Sequence, residues 1–248
     1  MHPLTPIVPP VAMLHCVSDS REGSLANWCI SRKAFLQLLN TLEEAQCQTT
    51  HFAELTEQKK TGGFSRKVIL TFDDCAKHLL DFAVPELVKR KLKAAFFMPT
   101  AYIGGYNAWD VEKGAERMEL MNQEDLKELV RLGMEVGSHS HHHIELKNLS
   151  GTEKLRQEVR LSKELLQDIT GRPVYSFAYP FGSVPDDYRT VLSSAGYHYG
   201  LSIYQPFETK LALRRFGVYE KDTPATLRKK LSGRYRWMRT LYDAVKKN

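Results

Sequence analysis

Two adjacent carboxylates close an apolar run in Thr71-Phe72-Asp73-Asp74, the preceding residues 67–72 (KVILTF) reading as a buried strand. Neighbouring residues at a strand end diverge, so one carboxylate can hold a cation while the other faces a water beside it. The purely structural use of such a pair is a helix N-cap followed by a first-turn acid. A second cluster is Ser138-His139-Ser140-His141-His142-His143. His139 and His143, at i, i+4, can share one face of a turn and chelate one ion. His139 with His142 is the rival pair, His141 should point away, and a surface cluster without ligand role is the structural alternative. A third motif, Phe177-Ala178-Tyr179-Pro180-Phe181-Gly182, follows another strand-like run. Its Pro-x-Gly turn can aim a backbone N–H into a site, as an oxyanion hole requires; a plain aromatic turn is its alternative. Two imidazoles and a carboxylate form a His-His-Asp donor set that leaves a coordination position open for water.

The elements that must position these residues alternate. Strands are expected at 11–15, 67–72, 94–98, 134–137, 174–179 and 197–203, and helices after Ser31 as cap and over 79–92, 123–132, 152–170 and 186–195. The first helix carries Phe35, Leu38, Leu39 and Leu42 at helical spacing, and Gly133, Gly171 and Gly196 stand where helices stop. Such alternation implies an α/β fold with a parallel sheet, whose chemistry sits at the carboxyl ends of its strands. His15, Asp73–Asp74, His139 and Tyr179–Pro180 all fall at such ends. Residues 104–117, with Tyr106 and Trp109, form a long irregular stretch suited to a lid or a substrate wall.

The 248 residues suit one domain, and 42% apolar with 26% charged residues is an ordinary globular balance. No apolar run of roughly 18 residues is present. The proline-rich start lacks the apolar region of a secretory signal, so a cytoplasmic protein is expected. Cys16, Cys29, Cys47 and Cys75 form no C-x-x-C pair; thiols in a reducing compartment are expected, and no disulfide framework. A net charge of +6 fits anionic glycans, phosphorylated sugars or a membrane surface and does not argue for nucleic acid.

Taken together, the three motifs resemble those of the polysaccharide deacetylases of carbohydrate esterase family 4, the NodB-homology domain, over about residues 11–218. Thr71–Asp74 is similar to that family's TFDD motif, the segment from His139 to His143 to its H-[S/T]-x-x-H motif, and Phe177–Gly182 to the FAYPYG form of its third motif. Met13-Leu14-His15-Cys16-Val17-Ser18 resembles the M-Y-H-x-V-S start of a branch that includes exopolysaccharide and poly-N-acetylglucosamine deacetylases.

The resemblance implies a distorted (β/α) barrel with fewer than eight regular strands, as a single domain: an extension over 1–10, the barrel over 11–220 and a basic helical extension over 221–248. It implies a metal-dependent hydrolase that removes N-acetyl groups from amino sugars of a glycan; with a cytoplasmic location expected, a lipid- or nucleotide-linked precursor is the expected form of that substrate. Asp73 would be the general base, Asp74, His139 and His143 the ligands of one divalent ion, expected to be zinc, and the Phe181 N–H would face the oxyanion. Tyr179, Pro180, Trp109 and Arg215 are the expected substrate contacts. The chain departs from the family in having no L-x-H-D motif after Tyr199, Ala178 in place of a third-motif Arg, and Cys75 where a Gly usually follows the Asp pair. His15 is therefore expected as the general acid, and Arg215, in an L-P-R-x-x-V-like ending, as the substitute for the missing Arg that tunes the base.

Residues 227–247 carry many Lys and Arg beside a stripe of Leu227, Leu231, Tyr235, Met238 and Tyr242. Packing of this stripe on the barrel is expected, with peripheral membrane contact as the alternative; nucleic acid is not expected. Two other functions share the motifs: hydrolysis of another amide or cyclic imide, and glycan binding by a pseudoenzyme that keeps its metal.

Overall fold

The computed structural model describes residues 8–20, 23–57, 64–203, 208–232, 235 and 238. Its centre is a parallel sheet built from β1 (Val11–Leu14), β4 (Gln48–Thr50), β5 (Lys67–Asp73), β6 (Ala95–Met98), β7 (Glu135–Ser138), β8 (Ser176–Ala178), β9 (Tyr199–Ser202), β10 (Leu213–Arg214) and β11 (Phe216–Gly217). The order is β10-β9-β8-β7-β6-β5-β1-β11, with β4 on β5 as a branch. β10 pairs with β9 and β11 with β1, and only Arg215 separates them. One short stretch of chain thus brings the two ends of the sheet together, giving a nearly closed, distorted barrel. Between the strands run α1 (Arg32–Glu44), α2 (Phe52–Glu57), α3 (Ala83–Lys89), α4 (Ala108–Val111), α5 (Gln123–Arg131), α6 (Glu153–Thr170) and α7 (Tyr188–Ser194), and α8 (Pro224–Leu231) follows the last strand.

The period-two alternation of the strands sorts their side chains into two cores. Val68, Leu70, Phe72, Phe96, Met98 and Phe177 face outward and pack with the helix layer. Val11, Ile69, Ala95, Phe97, Leu201 and Leu213 fill the barrel. The interior is narrow: a Cβ on Gly137 would lie 2.4 Å from the Phe97 ring, so only glycine fits there. Carried one step beyond each inward residue, the same parity brings His15, Asp73, His139 and Arg215 to the inner face at the carboxyl end. The strand geometry assembles the site before any specific contact is considered.

Local signals explain the helix boundaries. Ser31 accepts from the Ala34 N–H and Thr152 from the Leu155 N–H, both as N-caps. Asn122 and Asp125 form a reciprocal capping box at α5, and Gly171 ends α6 in the left-handed region at φ 63°. The helix expected over 79–92, with Pro85 kinking it or starting a new one, is a 3-10 turn, Lys77–Asp81, followed by α3, with Pro85 in the first turn of α3 where its missing N–H costs nothing. At the C-terminus Leu227 is buried in the core and Arg228 reaches Glu44 at 3.2 Å, so α8 packs on the barrel. Trp237 and Tyr242 lie outside the described residues.

The expectation of four thiols is corrected. Cys16 and Cys29 form a disulfide that joins β2 (Cys16–Val17) to β3 (Cys29–Ile30), with Cα atoms 4.6 Å apart. Their spacing of 13 residues is that of no recognised cysteine motif, and only the tertiary pairing of the two short strands juxtaposes them. Cys47 and Cys75 are free thiols.

Candidate active site

The chain reverses sharply after β5. Asp74 and Cys75 both adopt left-handed backbone, at φ 69° and 54°, a conformation that costs non-glycine residues roughly 1–2 kcal/mol each. This turn swings the Asp74 carboxylate across the top of the barrel while Asp73 stays on the inner face of the strand. The pair is therefore no helix cap: the 3-10 turn that follows begins only after Ala76.

Asp74 Oδ1 lies 3.5 Å from His139 Nε2 and 3.3 Å from His143 Nε2, and the three donor atoms all fall within 4.8 Å of one another. Ligands about 2.0–2.2 Å from a tetrahedral zinc are separated by roughly 3.3–3.6 Å, so both Asp74 distances match edges of such a site. Asp74 Oδ1 is buried without a hydrogen-bond partner, an arrangement that is costly unless a cation completes it. His139 Nδ1 donates to the Ala178 carbonyl at 2.8 Å, which leaves the Nε2 lone pair aimed at Asp74. Burial holds the His139 imidazole down at about 4, so it is neutral and available as a ligand near pH 7. Burial pushes the Asp74 carboxyl up, but the histidines around it, His143 foremost, hold it well below the usual carboxylate range. The donors thus fit one divalent cation.

The histidine run divides as its spacing allows. His141 turns away to Thr100, Nδ1 to Oγ1 at 2.8 Å. The rival ligand His142 is excluded, because its Nδ1 lies 2.6 Å from Glu158 Oε1. Glu158, buried on α6, also accepts from the His141 and His142 N–H groups at 3.1 and 2.8 Å. It pins the turn that sends His143 inward.

Asp73 belongs to a different network. Arg215 Nη1 and Nη2 donate to its two oxygens at 2.7 and 2.8 Å, a buried bidentate pair. Burial pushes the Asp73 carboxyl up, yet Arg215, then His139 and His15, hold it net below its ordinary value. Asp73 Oδ2 lies 4.0 Å from both His139 Nε2 and His15 Nε2. Arg215, expected among the substrate contacts, is thereby taken up by Asp73, at the seam of the barrel. This is the tuning place that the absent third-motif Arg left open.

These residues line one cavity of about 200 Å³ together with Leu25, Trp28, Trp109, Asp110, Met118, Tyr179, Phe181 and Ile203. The Pro-x-Gly turn stands at its rim. Gly182 N–H bonds to the Tyr179 carbonyl at 2.9 Å, and Phe181 sits in left-handed backbone at φ 57° with its ring edge-on to His143. Tyr179 is fully buried, its hydroxyl donating to the Leu211 carbonyl at 2.7 Å, and Pro180 is buried beside it. Tyr179 shapes the cavity wall rather than offering a polar contact.

Trp109, in the segment expected as a lid or a substrate wall, lines the cavity beside the donor set. It is 6% exposed and stacks on the His143 ring at 4.1 Å, so it backs that imidazole. Its segment is a fixed wall: the buried Asn107 side chain donates to the Glu116 carbonyl and accepts from the Met118 N–H. Trp28 and Asp110 are cavity residues that the sequence did not single out. Burial and the Asp74 charge push the Asp110 carboxyl up.

A parallel barrel with this donor set at its carboxyl end defines a class, and comparison with known proteins agrees. Residues 60–200 match the polysaccharide deacetylase family model, and the chain belongs to that family. Among curated proteins it is 26% identical over 202 residues to poly-beta-1,6-N-acetyl-D-glucosamine N-deacetylase of Staphylococcus aureus, covering 77% of this chain and 66% of that protein's length, just under two thirds. Among solved structures it resembles the Streptococcus pyogenes deacetylase PplD in complex with acetate, with a TM-score of 0.75 and 20% identity over 92% of this chain and 100% of that one. It also resembles IcaB from Ammonifex degensii, with a TM-score of 0.73 and 22% identity over 92% and 99%. These two likenesses establish the fold.

Proposed function

We propose that this protein is a metal-dependent N-deacetylase acting on N-acetylglucosamine units of a polysaccharide. The observation that carries the reading is the meeting of an orphaned, buried Asp74 oxygen with His139 and His143, beside a second carboxylate held ionised by Arg215. The family supports the reaction class, and the name of the staphylococcal relative supports the sugar.

Asp74, His139 and His143 would hold the ion, and zinc suits two imidazoles and one carboxylate. When bound, such an ion supplies Lewis-acid polarisation of the acyl carbonyl and acidification of water. Asp73 accepts the proton of the attacking water, and its pairing with Arg215 keeps it deprotonated for that task. The Phe181 N–H at the cavity rim donates to the developing oxyanion. His15 gives the leaving nitrogen its proton: it shares the cavity with the base, and its imidazole is no part of the donor set. Arg215 orients Asp73. The ionised base favours an enzyme over a glycan-binding pseudoenzyme.

No helix among the described residues is long and apolar enough to cross a membrane, and the packing of α8 gives no support to peripheral membrane contact. The Cys16–Cys29 bond favours an oxidising compartment over the reducing cytoplasm expected from the sequence. With it goes the support for a cytoplasmic lipid- or nucleotide-linked substrate.

Zinc-loaded protein incubated with β-1,6-linked N-acetylglucosamine oligomers should release acetate with one new primary amine per acetate. If neither these nor β-1,4-linked oligomers gain amines, the assignment is wrong.

A further inference from the structure

Trp28 is 47% exposed and has no part in the chemistry above, yet it lines the same cavity as the donor set. Burial of large aromatics drives folding, so a half-exposed indole at the mouth of a cavity calls for a partner. The ring is held firmly. Its own backbone N–H closes the preceding 3-10 turn onto the Leu25 carbonyl at 2.9 Å. The next residue, Cys29, is bonded to Cys16, which itself follows His15. The crosslink therefore joins the residues adjacent to Trp28 and His15, whose rings lie 4.8 Å apart with 51° between their planes.

The contacts of His15 indicate where a ligand would lie. His15 stands beside Asp73, and Trp28 stands against His15. Trp28 therefore borders the part of the cavity next to the proposed acid, where the leaving nitrogen and the sugar that carries it must be. Phe181, 46% exposed, occupies the His143 side, so the cavity is flanked by an aromatic face at each end. The apolar C–H face of a pyranose is the chemical partner of such a face.

Resting on the amino-sugar reading above, we infer that Trp28, held in place by the Cys16–Cys29 crosslink, is a specificity-determining platform on which the sugar unit next to the reacting one stacks. The enzyme then prefers an oligomer to a single N-acetylglucosamine, and the preference resides in KM. A rigid ring loses little freedom when the sugar arrives, so the contact adds to affinity.

The test compares kcat and KM for a β-1,6 pentamer and for monomeric N-acetylglucosamine. Both substrates are amides, so any dependence on the general acid cancels between them. Trp28→Ala should reduce the pentamer-over-monomer ratio of kcat/KM by about two- to tenfold, mainly through KM, with bound metal retained. Trp28→Phe should restore most of the ratio. Cys29→Ser should lower it in the same direction. An unchanged ratio in Trp28→Ala overturns the platform. Equal losses on both substrates, carried by kcat, also overturn it, making Trp28 a mere support for His15. An unchanged pentamer KM in Cys29→Ser overturns the part assigned to the crosslink. Failure of the amino-sugar reading itself is separately visible, as a wild-type enzyme inactive on both sugars.

Discussion

Arg215→Met keeps much of the arginine's length and removes its charge from a pair in which both partners are at most 4% exposed. The substitution abolishes two donations to Asp73, at 2.7 and 2.8 Å. With charge centres roughly 4 Å apart, the attraction is about 4 kcal/mol at an effective dielectric near 20. Measured losses on breaking one side of a buried pair are similar, about 3–5 kcal/mol. At roughly 2–4 °C per kcal/mol for a chain of this size, melting should fall by about 6–20 °C. The pH response follows from the same ion pair. Asp73 is held below its ordinary value, so its ionised form stabilises the fold above the unfolded pKa, and that contribution is lost as pH falls through the folded pKa. Without Arg215 the carboxyl takes up a proton more readily, and the acid limb of kcat/KM moves to higher pH. Arg215→Lys keeps the charge with poorer geometry and should fall between. The assays are thermal melts and pH–rate profiles, with metal content as control. An acid limb that stays in place, with an unchanged melting temperature, would refute the claim that Arg215 sets the state of the base.

Three further outcomes are expected. Asp73→Asn should keep its metal and lose about 10²-fold or more in kcat, because an amide cannot take the proton; an active variant with normal metal content would move the base elsewhere. His15→Ala should lose more activity on N-acetyl sugars than on aryl acetates, whose leaving group needs no proton; equal losses on the two would exclude it as the acid. Glu158→Gln weakens the three hydrogen bonds that fix the histidine turn. It should weaken metal affinity by about 10–100-fold in a chelator competition, and undiminished affinity would show that the turn holds itself.

The site could be read from the sequence where strand geometry governs it. Asp73 ends an apolar run and His139 follows one, and parity alone then turns both inward. The i, i+4 spacing also pointed to His143, although the segment is a bend with Ser140 and His143 in left-handed backbone rather than the helical turn expected. What escaped notice depends on contacts distant in sequence. Glu158 is one acid among several on a long helix, and nothing in its surroundings there marks it as the anchor of residues 141–142. Cys16 and Cys29 meet only because β2 and β3 pair, and Trp28 is brought to the cavity by the same pairing. That Trp109 stacks on the His143 ring could not be read from an aromatic in an irregular segment, whose local sequence is the same whichever group it faces. Arg215 was found through a resemblance near the last strand, but its place at the seam was not, since the seam between β10 and β11 exists only once the barrel has formed.

The most direct test of the account is a titration of metal-stripped protein with zinc while acetate release from a β-1,6-linked N-acetylglucosamine oligomer is followed. The arrangement of Asp74, His139 and His143 predicts no release before addition, a rise to a plateau at one equivalent, and no plateau in His143→Ala at the same metal concentration. Full activity in the stripped protein, or an unaltered titration in His143→Ala, would contradict it.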